Sequence, residues 1–246
     1  MGNVYRSDLE QGMLTHDCVS FDLLDTLVMR RVPSTADVFS MVEQRLPGGL
    51  VFPFGECRAR CEKELCDAGI VPTLPDIYRQ LRAACGLDEQ TTQTLMEEEW
   101  KAECEVMIPR RDMAELLRMA HDSGKTVTVL ADTYLSGIQV RDLLQMLEIR
   151  DYTMILSAAD VGLTRETGLY AHYRALCGEE KSYMHIGDNP QKDGEIARQY
   201  GIDTLVIPRA VDLYRRDNPG ATVPQDLSTR RILGEKIARQ YNSPFA

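Results

Sequence analysis

The chain has 246 residues, a formal net charge of −10 at neutral pH, and 43% apolar against 27% charged residues. This length accommodates one large domain, or a core domain with a smaller accessory one. An acidic surface repels nucleic-acid phosphates and anionic membranes, so we expect neither as a partner. The polar N-terminus lacks the apolar stretch of a signal peptide, and we therefore expect a cytoplasmic protein.

The first structural signal along the chain is the short apolar run 19–21, which predicts a strand leading into Asp22. Between residues 33 and 110 no comparable strand is expected, and the periodicity favours helices instead. The predicted helices are 36–46, 54–68, 74–85 and 91–107, with breaks that include Pro-Gly-Gly at 47–49. We interpret this block as a helical insertion.

After residue 110 the pattern alternates between helices and short apolar strands. The predicted helices are 113–123, 138–147, 169–177 and 194–200, and the predicted strands are 126–130, 154–156, 183–186 and 204–207. Such alternation is typical of a Rossmann-like, doubly wound parallel α/β sheet. We predict a core domain of residues 14–33 plus 109–210, a helical domain of 34–108, and a C-terminal helical tail of 211–246.

The seven cysteines are an odd number scattered over the chain, which argues against a secreted disulfide scaffold. Three of them, Cys57, Cys61 and Cys66, are close in sequence. On a helix the first two share a face and the third lies off it. Apolar packing of the thiols is favoured over a metal site, because no paired Cys/His spacing indicates zinc.

Carboxylates follow three of the predicted strands. Asp22 follows the first strand, Asp132 the second, and Asp188 the fourth, with Asp193 five residues beyond. In an open parallel sheet, ligands bind outside the carboxyl ends of the strands. Converging acids need a cation to offset their repulsion, and carboxylate oxygens with water and phosphate are the ligands that Mg²⁺ prefers. The sequence therefore predicts a Mg²⁺ site at this edge.

These segments resemble, in order, the motifs of the haloacid dehalogenase-like (HAD) superfamily. The matching segments are DLLDTL at 22–27, ADTYL at 131–135, TRETGL at 164–169 and GDNPQKD at 187–193. The resemblance covers residues 17–207 and implies the Rossmann-like core of that superfamily with a helical C1-type cap, residues 34–108, inserted after the first strand. The residues of these motifs are similar to those of FDxxDTL-type HAD-like hydrolase domains, which are associated with bacterial surface-polysaccharide proteins.

The resemblance implies a role for each motif residue. Asp22 would be the nucleophile that forms an aspartyl-phosphate, and Asp188 would bind Mg²⁺ together with it. The main-chain carbonyl of Leu24 would be a third ligand, and Asp193 would complete the metal site by orienting its waters. Arg165 would hold the phosphoryl oxygens and offset their charge.

The remaining phosphate-binding positions would be Ala131, Asp132 and Asn189. Two motif positions depart from the phosphatase pattern, because Leu24 replaces the usual general acid and Ala131 replaces a hydroxyl-bearing residue. General acid–base help contributes about 10²–10⁴-fold to rate, so the loss at position 24 is costly. The neighbouring Asp25 is the candidate substitute for that catalytic acid.

Structural alternatives stand beside these roles. Asp132 is also well placed to cap the helix expected near Leu135. Arg165 is also interpretable as a surface cation, with Lys181 as the rival for the same charge. His185, inside the strand before Asp188, is interpreted as a packed core histidine.

Taken with the resemblance, the motifs predict a Mg²⁺-dependent phosphatase or phosphotransferase that acts on a small phosphorylated metabolite. The similarity to the FDxxDTL-type domains implies a sugar phosphate as the substrate. It also implies an association with polysaccharide-biosynthesis proteins. One alternative is a catalytically weakened HAD-like domain that binds a ligand or a partner protein. The other is a C–halogen hydrolase, which accounts for a non-acid at Leu24 but accounts poorly for the acidic Gly187-Asp188 motif, because that chemistry needs no metal.

Overall fold

The computed structural model describes residues 5–46 and 50–245, so the predicted break at 47–49 lies outside the described residues. The strands are, in chain order, β1 (Cys18–Asp22), β2 (Val28–Arg30), β3 (Met107–Pro109), β4 (Thr126–Ala131), β5 (Met154–Ser157), β6 (Tyr183–Gly187) and β7 (Asp203–Val206). The α-helices are α1 (Arg6–Thr15), α2 (Thr35–Arg45), α3 (Phe54–Asp67), α4 (Leu74–Cys85), α5 (Glu89–Val106), α6 (Arg111–Asp122), α7 (Gly137–Met146), α8 (Ala158–Val161), α9 (Leu169–Cys177), α10 (Ala197–Gln199), α11 (Ala210–Asp217) and α12 (Leu227–Gln240). A π-helix, Pro190–Ile196, runs directly into α10.

Five strands form one parallel sheet in the order β5-β4-β1-β6-β7. The chain fills the sheet from β1 outwards through β4 and β5, and then returns to the other side of β1 for β6 and β7. The order of the strands therefore reverses between β1 and β6. Ligand-binding crevices of open α/β sheets form at such a switch point, outside the carboxyl ends of the strands.

The central strand β1 is buried along its whole length. Its sequence Cys-Val-Ser-Phe-Asp is mostly apolar, as expected for a strand covered on both faces. The register pairs Phe21 with Val129 of β4 and with Ile186 of β6. Because these pairs are aligned, Asp22 and the residue that follows Gly187 reach the same edge of the sheet.

The chain divides into two compact units, and both are discontinuous in sequence. Unit 1 comprises residues 1–29, 108–221 and 237–246, and it contains the five-stranded sheet. Unit 2 comprises residues 30–107 and 222–236. The first ten residues of α12 therefore group with unit 2, and its last four with unit 1.

Unit 2 is built from α2 to α5 and has its own buried centre. Phe54 packs edge-on against Phe39, with ring centroids 6.1 Å apart, and also lies beside Tyr78. The fully buried Arg58 donates to both carboxylate oxygens of Glu99, and the hydroxyl of Tyr78 donates to Glu99 at 2.7 Å. A buried charge is tolerated when it is paired and hydrogen-bonded in this way.

The same unit places two of the three clustered cysteines in its core. Cys57 and Cys61 are buried on α3, one turn apart, whereas Cys66 near the helix end is exposed. This arrangement agrees with the shared helix face that the sequence predicts. None of the helices in residues 5–46 and 50–245 is long and apolar enough to cross a membrane.

Several elements differ from the sequence-based expectation, among them the three-residue strand β2 and the short helix α8, neither of which was predicted. The helix α1 was not predicted, because within it only Leu9 and Met13 are buried and the apolar periodicity is correspondingly weak. The strand β3 lies inside the interval predicted to contain none, and at three residues it is too short to leave a sequence pattern. The helix expected at 194–200 begins four residues earlier, at Pro190, and its first turns are wound as a π-helix.

Candidate active site

A small cavity lies at the carboxyl edge of the sheet, beside the switch point between β1 and β6. Its volume is about 170 Å³. The lining residues come from the segments that follow β1, β4 and β6 and from the segment before α9: Asp22, Leu23, Leu24, Asp25, Asp132, Thr133, Arg165, Asp188 and Asn189. The structure therefore brings together side chains from all four sequence motifs.

Three carboxylates converge at this cavity. One oxygen from each of Asp22, Asp188 and Asp193 lies within 4.8 Å of the other two. Burial raises the pKa of Asp188 to about 8, and the negative charges of Asp22 and Asp25 add to that shift. Burial also raises the pKa of Asp22, against the opposing effect of Arg165.

The donor set fits a divalent cation. Asp188 shares a hydrogen bond with Asp22, and two carboxyl groups in this contact need a proton or a cation between them. Mg²⁺ is bound in proteins through one or two carboxylates together with waters and substrate oxygens. Asp22 and Asp188 are the residues that would hold such a cation.

Arg165 supplies a buried positive charge next to these acids. Its side chain is 5% exposed, and its guanidinium forms ion pairs with Asp22 and, at 2.8 Å, with Asp193. Although burial opposes the shift, the carboxylates of Asp22 and Asp193 raise the pKa of Arg165. The interpretation of Arg165 as a surface cation is therefore wrong, whereas Lys181, its rival for the role, is exposed.

The carboxylate of Asp193 is held in place by three partners, Arg165, His185 and Asn189. Its Oδ1 atom accepts from Arg165 and lies 3.2 Å from Nε2 of His185, and its Oδ2 atom accepts from the main-chain N–H of Asn189 at 2.8 Å. The hydrogen bond with His185 and the charge of Arg165 outweigh burial and lower the pKa of Asp193 to about 2. Nδ1 of His185 lies 2.9 Å from Oγ of Ser20 on β1. His185 is buried, as predicted, but it is part of a hydrogen-bonded chain that reaches the site.

Two local features of the sequence allow Asp193 to reach this position. A Cβ atom at Gly187 would lie 2.2 Å from the carboxylate of Asp193, so only glycine leaves room there. Asp193 is also in the fourth position of the π-helix that starts at Pro190, and such wide turns are frequent at functional sites.

The turn after β1 places Asp25 at the cavity in an unusual conformation. Asp25 has φ of +57°, in the left-handed region that aspartate tolerates better than most residues. Its carboxylate is close enough to raise the pKa of Asp188. Leu24 is half-buried and also lines the cavity, in the position where phosphatases of the resembled superfamily carry an acid.

The second-motif residues are placed differently from one another. Ala131 is fully buried at the end of β4 and is not among the residues that line the cavity. Asp132 lines it and contacts Nζ of Lys192 at 3.3 Å. The interpretation of Asp132 as a helix cap is wrong, because Ser136 caps α7 through the main-chain N–H of Gln139.

The predicted phosphate-binding residue Asn189 lines the cavity, but its side chain also has a structural contact. Its Oδ1 atom accepts from the main-chain N–H groups of Gln191 and Lys192, at 3.0 Å each, and so caps the π-helix.

Sequence reasoning missed two residues at the rim of the site. Thr133 lines the cavity and carries a hydroxyl group, two residues after Ala131, which has none. Lys192 bridges Asp132 and Glu166, the latter at 2.8 Å, and thereby joins the segments after β4 and before α9. The position of Lys192 between Asp188 and Asp193, inside the fourth motif, was the sequence signal that could have identified it.

The sequence matches no protein-family model and no curated protein. Solved structures do resemble the fold. The L-2-haloacid dehalogenase PA0810 has a TM-score of 0.59 and 20% identity, over 89% of this chain and 98% of that one. An L-2-haloacid dehalogenase from Xanthobacter autotrophicus, with chloropropionic acid covalently bound, has a TM-score of 0.54 and 16% identity, over 89% and 88%. A candidate beta-phosphoglucomutase from Thermotoga maritima has a TM-score of 0.54 and 12% identity, over 91% and 97%.

The chain has the haloacid dehalogenase-like fold. The predicted fold class, a Rossmann-like parallel sheet with flanking helices, is thereby confirmed. Structures of the HAD-like fold include proteins described as dehalogenases and as a phosphoglucomutase, and one fold hosts different chemistries. The activity of this chain must therefore be argued from its own site residues.

Proposed function

We propose that the protein is a Mg²⁺-dependent phosphomonoester hydrolase or phosphotransferase that acts through an aspartyl-phosphate on Asp22. The observation that carries this proposal is the convergence of the carboxylates of Asp22, Asp188 and Asp193 within 4.8 Å, next to the buried guanidinium of Arg165. A cluster of three acids with one cation still has an excess of negative charge, which a divalent ion would offset. A phosphoryl group bound to that ion would then lie next to Asp22.

In the first half-reaction, a carboxylate oxygen of Asp22 attacks the phosphorus of the ester. The bond between phosphorus and the ester oxygen breaks as the aspartyl-phosphate forms, and the leaving oxygen takes a proton from an acid. Arg165, which contacts Asp22, is placed to hold the phosphoryl oxygens and offset their charge. Phosphoryl transfer depends mainly on such positioning and electrostatic stabilisation.

In the second half-reaction, water attacks the phosphorus and releases phosphate, while Asp22 regains its carboxylate. The attacking water gives its proton to the base that served before as the acid. Asp25 is the candidate for both proton transfers, because Leu24 carries no ionisable group and Asp25 lines the same cavity. When bound, Mg²⁺ supplies Lewis-acid stabilisation of the charge that develops on the phosphoryl oxygens.

The size and lining of the cavity support the proposed substrate class. A volume of about 170 Å³ accommodates a phosphoryl group and little more, so the organic part of the substrate would extend beyond it. A small phosphorylated metabolite therefore fits the proposal. The sugar-phosphate expectation rests on the sequence resemblance alone and stays a prediction, as do the cytoplasmic location and the association with polysaccharide-biosynthesis proteins.

A weakened, ligand-binding domain is the second candidate, and Leu24 is the observation that favours it. Without an acid at that position, leaving-group protonation is assigned to Asp25, which lines the same cavity. Hydrolysis of a carbon–halogen bond would not need that acid either. However, that reaction needs no metal, so it does not account for the close approach of the Asp188 and Asp22 carboxylates.

The test measures the release of phosphate by the purified protein from p-nitrophenyl phosphate and from a panel of alkyl phosphates. Each ester is assayed once with about 5 mM Mg²⁺ and once with EDTA. We expect Mg²⁺-dependent phosphate release that Asp22→Asn abolishes. Halide release from 2-chloropropionate is measured in parallel. Halide release in EDTA would establish the dehalogenase alternative. Inactivity of wild type on every ester, at the level of Asp22→Asn, would favour the binding domain.

A further inference from the structure

Arg110 is a fully buried arginine outside the motifs that the sequence analysis singled out. It lies between β3 and α6, and its side chain is 0% exposed. Three hydrogen bonds of its guanidinium go to main-chain carbonyl oxygens: those of Asp25 at 2.6 Å, Pro208 at 3.1 Å and Asn242 at 3.0 Å. A buried charge is costly unless it is hydrogen-bonded, and these three bonds, from Nε and Nη1, offset part of that cost, whereas Nη2 has no hydrogen-bond partner.

The three acceptors belong to separate segments of unit 1. Asp25 lies in the turn after β1, Pro208 follows β7, and Asn242 follows α12. The main-chain N–H of Arg110 also donates to the carbonyl of Leu27 at 2.9 Å. Arg110 therefore holds the turn that carries Asp25 at two points, through its side chain and through its backbone.

The C-terminal segment is in turn fixed around Arg110. Oδ1 of Asn242 accepts from the main-chain N–H of Arg111 at 2.8 Å, and Nδ2 of Asn242 donates to the carbonyl of Pro109 at 3.0 Å. These bonds keep the carbonyl of Asn242 next to the guanidinium.

The turn that Arg110 holds is one that needs support. Asp25 has φ of +57°, and a left-handed conformation at a residue other than glycine costs free energy that the surrounding structure must offset. The carboxylates of Asp25 and Asp188 also act on the guanidinium. Burial lowers the pKa of Arg110 to about 10, against the opposing carboxylates of Asp25 and Asp188, so the group stays charged at neutral pH.

We propose that Arg110 is a positioning residue of the phosphoryl-transfer site, which fixes the left-handed turn at Asp25 and thereby the alignment of Asp25 with Asp22. This inference rests on the proposed function. It predicts that the turn loosens when the guanidinium is lost, even though Arg110 does not line the cavity. The C-terminal segment contributes to the site through the same residue.

The test compares Arg110→Lys with Arg111→Lys, a matched change at the exposed neighbour. Hydrogen–deuterium exchange is measured on the main-chain N–H groups of Leu27 and Val28, both of which donate to the carbonyl of Leu23 and so report on the turn. In Arg110→Lys we expect faster exchange there than in wild type, with no change in β4 and β6. A catalytic group that is misplaced by about 1 Å can lower the reaction rate by about 10²-fold. We therefore expect kcat for phosphate esters to fall by about 10- to 100-fold, while KM changes by less than about threefold. Arg111→Lys should match wild type in both measurements.

A second variant covers the case in which Arg110→Lys does not fold. Asn242→Ala leaves the guanidinium in place but removes the side-chain hydrogen bonds to Arg111 and Pro109, which fix the carbonyl of Asn242. We expect exchange at Leu27 and Val28 to be faster than in wild type, but by less than in Arg110→Lys. Unchanged exchange at Leu27 and Val28 in a folded Arg110→Lys, or a uniform increase across the whole sheet, would overturn the proposal, as would a rise in KM at unchanged kcat. If wild type hydrolyses no ester, the proposed function has failed, and the exchange at Leu27 and Val28 alone decides whether Arg110 fixes the turn.

Discussion

The side chain of Arg165 is in direct contact with the carboxylate of Asp22, and both are almost completely buried. The same guanidinium reaches Asp193, so one cation joins the residue proposed as nucleophile to the residue that completes the acidic cluster. Removing either partner of a buried ion pair leaves an uncompensated charge. This relationship makes Arg165 important for stability and for the proposed chemistry at the same time.

Arg165→Met should therefore separate the two contributions. We expect a loss of unfolding free energy of about 3–5 kcal/mol in the absence of metal, because Asp22 and Asp193 lose their counter-charge. Saturating Mg²⁺ should recover part of that loss, since a divalent ion offsets the same charges. Urea unfolding with and without Mg²⁺ measures both effects. Arg150→Met, at an exposed position, is the control and should change stability by less than about 0.5 kcal/mol. Equal stability of Arg165→Met and wild type in EDTA would show that the ion pair is not formed in solution.

The raised pKa of Asp188, about 8, predicts how stability depends on pH in the metal-free protein. In the unfolded chain the same carboxyl group titrates near its ordinary value of 3.8. Since the pKa is higher in the folded state, the folded protein binds the proton more tightly, and its stability should fall as pH rises from about 4 to about 8. Over this range the loss should be roughly 2–5 kcal/mol, and the curve should level off above pH 8.

Metal should reverse this dependence, because a bound cation replaces the proton at Asp188. We expect the stabilisation by Mg²⁺ to grow between pH 5 and pH 8.5, as seen in thermal melts at each pH. Asp188→Asn is the control, and its melting temperature should depend far less on pH and on Mg²⁺. A wild-type protein that becomes more stable between pH 5 and pH 8 in EDTA would contradict the charge assignment.

Asp25 is predicted to be the proton donor and acceptor of the proposed reaction. Asp25→Asn keeps a residue type that tolerates the left-handed conformation, so the turn itself should be preserved. We expect turnover of alkyl phosphates to fall about 10²-fold, and turnover of p-nitrophenyl phosphate to fall much less because its leaving group needs little protonation. Equal losses on the two ester classes would assign the effect to the turn rather than to proton transfer.

The complementary change restores an acid at the position where phosphatases of the resembled superfamily have one. Leu24→Asp should raise kcat/KM for alkyl phosphates by about 10-fold or more, and for p-nitrophenyl phosphate by less. It adds a carboxylate next to Asp22 and Asp188, so the variant should be less stable than wild type without Mg²⁺. Leu24→Asn, similar in size but unable to transfer a proton, is the matched control and should show no gain.

Gly187 is predicted to be indispensable for the position of Asp193. In Gly187→Ala the new methyl group would lie 2.2 Å from the carboxylate of Asp193, a contact that forces the acid to move. We expect a loss of about 1–3 kcal/mol and weaker Mg²⁺ binding by calorimetry. Gly12→Ala is the comparison, because its new methyl group meets only the flexible end of Met184, at 2.8 Å, and should leave Mg²⁺ binding unchanged.

The sequence was sufficient to predict the sheet and the acids at its edge. Buried parallel strands are continuous apolar runs, and β1, β4 and β6 carry that signal together with an acidic residue at or just beyond the strand end. The contacts among these residues were less accessible. Whether Arg165 reaches Asp22 or solvent depends on the path of the segment between α8 and α9, which no local pattern specifies.

Longer-range relationships left no local signal at all. Arg110 looks like an ordinary residue before a helix, and its importance depends on carbonyl oxygens of Pro208 and Asn242, about 100 residues or more away in sequence. The interpretation of Asp132 as a cap failed for a similar reason. Lys192, from a different element, contacts that carboxylate, and Ser136 is the actual cap.

The division of α12 between the two units has a consequence for the order of synthesis. Each unit needs residues after position 221, namely 222–236 for unit 2 and 237–246 for unit 1. A nascent chain in which only the first 221 residues have left the ribosome therefore contains all five strands of the parallel sheet but neither complete unit. The carbonyl of Asn242, which is the last hydrogen-bond acceptor of the Arg110 guanidinium along the chain, emerges later still. The turn that carries Asp25 is thus expected to reach its final form only when translation has passed α12, after all the motif residues have been made.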